Sequence, residues 1–327
     1  MATRRYLVTV VMVAVLAAVA GAAAQQPDGP VATFSIVARD PGTGEWGVGV
    51  ASRFFAVGAV VPWAKAGVGA VATQSFMNTT FGPRGLDLLA AGLSPEETLK
   101  VLLRTDDNPT RRQVGIVAAD GTSATYTGAD CIPWAGGRHG ANYAVQGNIL
   151  TGEAVVGSME KAFLETKGTL ADRIYAALVA GDAQGGDARG RQSAAILVVR
   201  AGAGYGGYTD RAIDIRVDDH PDPFGELGRL LRFGQMNYCW NDAWTLFTKG
   251  RAAEALPPME KAATLAPDNP EVFYDLAVIR LAAGRRAESL EALRRAVALN
   301  PKLKAQARGD KDLSALSGDA AFDVLVK

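Results

Sequence analysis

Residues 33–53 read TFSIVARDPGTGEWGVGVASR, and this stretch contains the clearest fold signal in the chain. Residues 33–39 alternate apolar and polar side chains, as a half-buried β-strand does, and residues 46–53 alternate again. Between them lies the segment Asp40-Pro-Gly-Thr-Gly44, whose proline and glycines favour a tight turn. The stretch therefore predicts an antiparallel β-hairpin that begins at Thr33.

The rest of residues 33–232 predicts a mixture of further strands and helices. Strands are predicted at 68–73, 113–118, 124–127, 193–200 and 212–218, and helices at 85–91, 94–103, 153–166, 169–180 and 224–233. Strands that form hairpins near both ends, with helices between them, favour antiparallel sheets covered by helices. We therefore predict an α+β fold for this part of the chain.

Residues 233–327 have a different composition and contain a repeat. They hold 5 Gly and 19 Ala, whereas residues 33–232 hold 30 Gly. The segment Gly250-Arg-Ala-Ala-Glu-Ala-Leu256 returns as Gly284-Arg-Arg-Ala-Glu-Ser-Leu290, at a constant offset of 34. This period, with Gly between paired helices, is similar to the tetratricopeptide repeat. An all-α repeat domain is expected at 240–327, and accidental periodicity in a helical hairpin is the alternative.

One position departs from the repeat pattern. Pro257-Pro258 stands where the second unit has Glu291-Ala292, within a helix. Because proline lacks an N–H and clashes with the preceding turn, we expect this helix to start late or to kink.

Whole-chain composition excludes several classes of function. The 327 residues carry 34 Lys+Arg and 34 Asp+Glu, so nucleic-acid binding through a basic surface is not expected. Two Cys and two His are too few for a structural zinc site. No P-loop, metalloprotease helix motif or dinucleotide fingerprint is present, so neither a metal nor a cofactor is predicted.

Residues 1–24 resemble an export signal. Arg4 and Arg5 precede an apolar run that ends in Gly21-Ala-Ala-Ala24. A basic start, an apolar centre and small residues at the end are typical of a cleaved signal peptide. An uncleaved membrane anchor is the alternative. We predict a secreted or periplasmic protein, in which residues 25–32 are a short propeptide or a linker.

If the protein is an enzyme, its two histidines limit the kind of nucleophile that it could use. His139 and His220 both lie in turn-like segments and are expected at the surface rather than in a catalytic triad. A threonine at a chain's N-terminus needs no histidine, because its own α-amine takes the hydroxyl proton. Thr33 opens the first strand, and Lys65 follows the hairpin, where it would keep that amine neutral. As an alternative, Thr33 is an ordinary strand residue.

Several motifs resemble the bacterial family called domain of unknown function 1028. They are Thr33–Asp40, Val50–Arg53, Val57–Trp63, Gly69–Gln74, Gln146–Leu150, Gly190–Ala194 and Asp218–Pro223. This resemblance covers residues 33–232 and implies the four-layer αββα sandwich of the Ntn-hydrolase superfamily, whose members usually hydrolyse amide bonds. The start is also similar to proteasome β-subunits: Thr33 matches the nucleophile, Ser52-Arg53 a Ser-Arg pair and Lys65 the activating lysine. Ala51 departs from that pattern, which has Asp there.

Further polar residues are candidates for substrate contacts. Asn148 is a candidate oxyanion donor, or else a turn former. Ser52 and Arg53 are candidate substrate-binding residues from the first hairpin. A Gly-rich loop is a candidate carboxylate-binding segment, or else a solvated loop, and its polar members are Asp187, Arg189, Arg191, Gln192 and Ser193. Asp218, Asp219 and Asp222 are either a hard-cation site or, as we expect, a charged linker.

Two functions of different classes remain after this reading. The first is an exported amide hydrolase that acts on a small amide or peptide-like substrate, with helical repeats that bind a protein partner. The second is a non-catalytic envelope protein that binds a ligand or wall polymer through the sandwich. Self-association into a homo-oligomer is left open by the sequence.

Overall fold

The hairpin predicted at residues 33–53 is present in the computed structural model, which describes residues 33–327. Strand β1 spans Thr33–Asp40, β2 spans Glu45–Ser52, and Thr33 lies opposite Ser52. The expected signal peptide (1–24) and the propeptide or linker (25–32) lie outside the described residues. Across the described part of the chain, the apolar stretches within helices are too short or too polar to span a bilayer.

The remaining elements alternate between groups of strands and pairs of helices. The strands are β3 (Pro62–Lys65), β4 (Gly69–Ser75), β5 (Arg112–Ala118), β6 (Ser123–Thr127), β7 (Gly136–Gly140), β8 (Tyr143–Asn148), β9 (Ser193–Val199) and β10 (Arg211–Val217). The helices are α1 (Phe81–Ala90), α2 (Pro95–Arg104), α3 (Glu153–Glu165), α4 (Leu170–Ala183), α5 (Pro223–Thr248), α6 (Ala252–Leu265), α7 (Pro270–Ala282), α8 (Arg286–Leu299), α9 (Leu303–Gly309) and α10 (Ala320–Leu325).

Two antiparallel sheets form the first part of the fold. The large sheet has the order β10-β9-β2-β1-β8-β7, and the small sheet has the order β3-β4-β5-β6. Side chains such as Val48 and Val50 fill the core between the sheets. The opposite face of the large sheet packs on α3 and α4 through residues such as Ile36 and Ile174, and the small sheet packs on α1 and α2. The α+β prediction is confirmed.

Three strands were not predicted from the sequence, namely β3, β7 and β8, and two of them, β3 and β7, are short. Strand β3 has the sequence PWAK and begins with a proline, and β7 has the sequence GGRHG, which is typical of a turn. Both lie at sheet edges, where one neighbouring strand supplies their hydrogen bonds. Long-range pairing therefore overrides their weak local preference.

Helix α5 is much longer than the helix predicted at 224–233. It continues to Thr248, so one helix contributes Phe224 and Leu231 to the core under the large sheet and Met236 and Ala243 to the core of the helical region. The change in composition near residue 232 contains no helix-breaking proline. A single Gly234 there costs a helix only about 1 kcal/mol, so the helix continues through it. The domain boundaries 33–232 and 240–327 stay a prediction.

The C-terminal region consists of repeated helices, as the sequence period predicts. Helix α6 (Ala252–Leu265) and α8 (Arg286–Leu299) begin and end at equivalent positions of successive repeats. Pro257 and Pro258 lie inside α6, which begins at Ala252, so the expected late start is not observed. The buried face of α6, which includes Leu256 and Met259, packs against its neighbours. The free energy gained by this burial offsets the cost of the hydrogen bonds that the prolines cannot form.

Candidate functional site

A row of four polar side chains crosses one end of the large sheet. The strand register places Thr33 opposite Ser52 and Asn148, and Ser52 opposite Ser193. Residues directly opposite each other on antiparallel strands project on the same face. Val50, two residues before Ser52, belongs to the core between the sheets, so these four side chains, here called the polar row, face the small sheet. Each is at most 2% exposed.

Two glutamines of the small sheet cover the polar row. Gln74 on β4 donates from Nε2 to the carbonyl oxygen of Thr33 at 3.2 Å and to Oε1 of Gln113 at 2.8 Å. Gln113 on β5 also accepts from Nδ2 of Asn148 at 3.0 Å, and its own Nε2 donates to the carbonyl of Gly147 at 2.7 Å. These amides therefore tie the ends of the two sheets together around Thr33.

The glutamine pair was not among the residues predicted to form the site. Gln74 follows Ala70 and Ala72 at alternate positions of β4, and both alanines belong to the core between the sheets. A large amide in an inward-facing register of an apolar strand was the signal available in the sequence. It becomes informative only once the facing strand is known, because burying an amide is favourable only where partners are present.

Unsatisfied polar atoms and strained backbone also gather here. Among residues 33–327, Oε1 of Gln74, Oγ of Ser75 and Oδ1 of Asn148 are buried without a hydrogen-bond partner. Ser75 and Ile149 have left-handed backbone conformations, with φ of 69° and 51°. Such a conformation is a genuine outlier for a β-branched residue. Unpaired buried polar groups and strained backbone are both concentrated at functional sites.

Thr33 lies at the centre of this arrangement. Its Oγ1 donates to Oγ of Ser52 at 3.2 Å, and its backbone carbonyl accepts from Gln74. The hydroxyl therefore lies at the head of a strand, within a buried set of hydroxyls and amides that can donate and accept in several directions.

The Gly-rich loop joins the site through Asp187. This buried carboxylate accepts from the backbone N–H of Arg53 at 2.7 Å and from that of Arg189 at 2.9 Å. The Arg189 guanidinium also donates to Asp187, and Nη1 of Arg53 donates to the carbonyl of Arg189 at 2.9 Å. The structure thus brings Arg53, Asp187 and Arg189 together beside Ser52, with both arginine side chains at the surface.

The other predicted loop residues make local contacts. Arg191 forms a bidentate ion pair with Asp182, with both distances 2.7 Å, and these hydrogen bonds raise the pKa of the guanidinium above its usual range. Gln192 donates to Asp219 at 3.2 Å. The Ser193 hydroxyl donates to the carbonyl of Phe54 at 2.5 Å, so it holds the segment after β2 in place.

A small cavity lies beside the loop at the strand ends. It has a volume of about 100 Å³, and its lining includes Phe34, Ser52, Asp187, Arg191 and Phe224. The Phe34 and Phe224 rings stack with centroids 6.3 Å apart and form an apolar wall opposite the charged loop. The cavity can hold a group of only a few atoms.

The structure does not bring Lys65 to Thr33. Lys65 lies opposite Gly69, which lies opposite Ala118, and the Ala118 carbonyl accepts from the indole of Trp46. Trp46 is at the other end of β2 from Ser52, whereas Gln74, which contacts Thr33, is five residues along β4 from Gly69. At 3.2–3.4 Å per residue this is roughly 16 Å, too far for the lysine to tune an amine on Thr33.

The two histidines lie at the surface, as expected, and the acidic segment after β10 caps the helix that follows it. His139 and His220 are exposed, and Nδ1 of His220 accepts from the backbone of Asp222 at 3.0 Å. Asp222 in turn accepts from the N–H of Gly225 and caps helix α5. Within the described part of the chain, no group of three or more His, Cys, Asp or Glu side chains is arranged to hold a metal ion.

Comparisons with known proteins identify both parts of the chain. Residues 33–227 match the model of a family of unknown function, DUF1028, and residues 246–309 match a tetratricopeptide-repeat model. The chain is similar to the crystal structure of a Silicibacter pomeroyi protein assigned to DUF1028, with 29% identity and a TM-score of 0.56. That match covers 62% of this chain and 89% of the other. No curated protein matches.

Proposed function

The chain belongs to the DUF1028 family of unknown function, and on that premise we propose that it is an amide hydrolase of the Ntn type with Thr33 as its nucleophile. The hydroxyl of Thr33 attacks the amide carbonyl, and the α-amine that is freed by cleavage before Thr33 accepts the hydroxyl proton. That proton passes to the leaving amine as the C–N bond breaks, and water then hydrolyses the ester on Thr33. The order helix, sheet, sheet, helix supports the four-layer sandwich of that superfamily.

The observation that carries the proposal is the place of Thr33 in the fold. It is the first residue of a central strand, its hydroxyl faces the space between the sheets, and polar side chains surround it on both sheets. An N-terminal nucleophile needs this combination, because the hydroxyl and the α-amine must both be held next to the same substrate carbonyl.

We propose that the uncharged surroundings of Thr33 take the role that the sequence suggested for Lys65. Thr33 is fully buried, and the Gln74 and Gln113 side chains that face it are uncharged amides. Removal from water lowers the pKa of an amine, because it disfavours the charged form. We propose that these uncharged surroundings lower the pKa of an α-amine freed on Thr33, which would favour the neutral form that acts as a base.

Asn148, Arg53 and Arg189 have proposed roles around this nucleophile. Asn148 stabilises the oxyanion when its Nδ2 stops donating to Oε1 of Gln113 and donates to the substrate oxygen instead. Arg53 and Arg189, which Asp187 positions, bind an anionic group of the substrate. We further propose that the protein is exported through residues 1–24. The tetratricopeptide-like repeats suggest an interaction with another protein.

The N-terminus of the native protein tests this proposal. Purified from its envelope, the protein should begin at Thr33, and an intact-mass measurement should show the loss of residues 1–32. A β-lactone probe, which acylates nucleophilic hydroxyls, should label Thr33. Expression without the signal then shows whether the chain cleaves itself, since signal peptidase cannot act on that form.

Matched substitutions separate catalysis from folding. Thr33→Ala should abolish turnover of a panel of aminoacyl p-nitroanilides, and Thr33→Ser should retain part of it, because the hydroxyl remains. Thr79→Ala, at an exposed position, is the control and should behave as the unmodified protein. A native terminus at Gln25, together with no adduct on Thr33, would contradict the enzyme and favour the non-catalytic envelope binding protein.

A further inference from the structure

A second cleft opens where the edges of the two sheets meet. The small sheet has four strands and the large sheet six, and β3 and β10 are edge strands. The large sheet is not fully covered near this edge, and a cleft of about 440 Å³ remains, lined by residues of β3, β9 and β10. This volume is in the range of small-molecule sites, about 300–1,000 Å³.

The floor and one wall of the cleft are apolar. The floor includes Ala195, Leu197 and Val199 of β9. Trp63 lines one wall, and its Nε1 donates to the carbonyl of Val60 at 3.1 Å. On the side of α1, Gly82 packs directly against the ring, and a Cβ at this position would overlap it. The ring is therefore held in a fixed orientation, as a preformed binding surface requires.

The rim of the cleft is charged and has an excess of one positive charge. Lys65, Arg211 and Arg216 line it together with Asp210 and Asp214, so three cations stand against two anions. Asp214 pairs with Arg211, and Asp210 accepts from a backbone N–H.

Two cations of the rim, Arg216 and Lys65, are available to bind an anionic ligand. Arg216 makes a long, exposed contact of 3.4 Å with Asp218, which lies outside the lining. Lys65 is exposed and has no ion-pair partner among residues 33–327. An anion bound here would therefore not have to displace a strong internal ion pair.

We propose that this cleft binds a small amphiphilic anion. The apolar body of the ligand lies on the β9 floor and against Trp63, and its carboxylate or phosphate head contacts Lys65 and Arg216. The lining is mixed, with five charged side chains beside the apolar floor, and this composition fits a ligand that has both an apolar body and a charged head. The lining of the cleft contains none of the four polar-row residues, so the inference is independent of the proposed function.

Binding of simple probes to the full chain tests the proposal. Octanoate and octyl phosphate combine an apolar body with an anionic head, whereas octan-1-ol lacks the charge and acetate lacks the body. Isothermal titration calorimetry should show saturable binding of octanoate, octyl phosphate or both, with the stronger of the two identifying the preferred head group. Octan-1-ol and acetate should bind at least about tenfold more weakly, because each retains only part of the contacts.

Substitutions on the rim locate the site. Lys65→Met and Arg216→Met keep the apolar stems and remove the charges, and each should weaken binding of the anionic probe about tenfold or more. Lys100→Met removes an exposed lysine from α2 and should leave the affinity unchanged. Trp63→Phe should abolish the probe-induced change in tryptophan fluorescence.

Three results would overturn the inference. They are the absence of saturable binding, equal affinity for octan-1-ol and octanoate, and an affinity that Lys65→Met and Arg216→Met leave unchanged. Circular dichroism of each variant shows that it is folded, and the charged ends of the rim residues are at the surface, so loss of the fold would not mimic loss of the site.

Discussion

At the scale of single residues, Gln113 links the amides of the candidate site to the backbone beneath them. It accepts from Gln74 and Asn148 and donates to the Gly147 carbonyl, and it is fully buried. Thr33 is joined to this network through its carbonyl and Gln74. The geometry around the proposed nucleophile therefore depends on amides that do no chemistry themselves.

Replacing Gln113 should destabilise the protein strongly. Gln113→Met keeps much of the volume but leaves several buried donors and acceptors without partners, and each such loss costs about 1–3 kcal/mol. We expect the free energy of unfolding, measured with urea, to fall by about 2–4 kcal/mol. The control Gln184→Met, at an exposed position, should change it by less than about 0.5 kcal/mol. Equal effects of the two substitutions would show that the network adds no stability.

At the scale of elements, the contact between α5 and α7 contains a buried carboxylate. The indole nitrogens of Trp240 and Trp244 both donate to Oδ2 of Asp275, at 2.7 and 2.6 Å. Burial raises the pKa of Asp275, and the two indole hydrogen bonds lower it by a smaller amount. The folded helices therefore favour the protonated carboxyl more than the unfolded chain does.

This shift predicts how the stability of the helical region changes with pH. The folded pKa is raised, so the contribution from Asp275 is fully present below the usual value of 3.8 and is lost as the pH rises through the raised pKa. Asp275→Asn keeps an acceptor oxygen but cannot titrate. Between about pH 4 and pH 7, the wild type should lose more stability than this variant in urea unfolding followed by tryptophan fluorescence. The exposed control Asp268→Asn should keep the wild-type slope, and an unchanged slope in Asp275→Asn would disprove the assignment.

At the scale of the whole molecule, helix α5 connects two cores. Its first half places Phe224, Leu227 and Leu231 against the large sheet, and its second half places Met236 and Ala243 in the helical region. Because α5 is continuous, the helical region is joined to the large sheet by a helix and not by a flexible linker.

We predict that the helical region nevertheless folds alone. A fragment of residues 238–327 should be helical by circular dichroism, and residues 33–232 should fold without it, because each part has its own core. A longer fragment from residue 223 would expose Phe224, Leu227 and Leu231 and should self-associate in sedimentation, whereas 238–327 should not. Strand signal in 238–327, or failure of 33–232 to fold, would show that the two parts are one cooperative unit.

Local patterns in the sequence were sufficient to predict the first hairpin, the α+β class and the helical repeat. Period-two alternation, turn residues and repeated helix contacts act over short stretches of chain, so a single sequence contains them in full. The sequence also offered Thr33 and Asn148 as candidates, and the family resemblance added Ser52; the register of β1 brings these three residues together.

Only the tertiary structure decided the rest. In the fold, Gln74 and Gln113 cover Thr33, whereas Lys65 lines a different cleft. Helix α5 also continues through the change in composition. The physical reason is that these features depend on which strand ends of two stacked sheets face each other. The sequence specifies only the length of chain between Thr33 and Lys65, whereas strand register and sheet packing determine their distance in space.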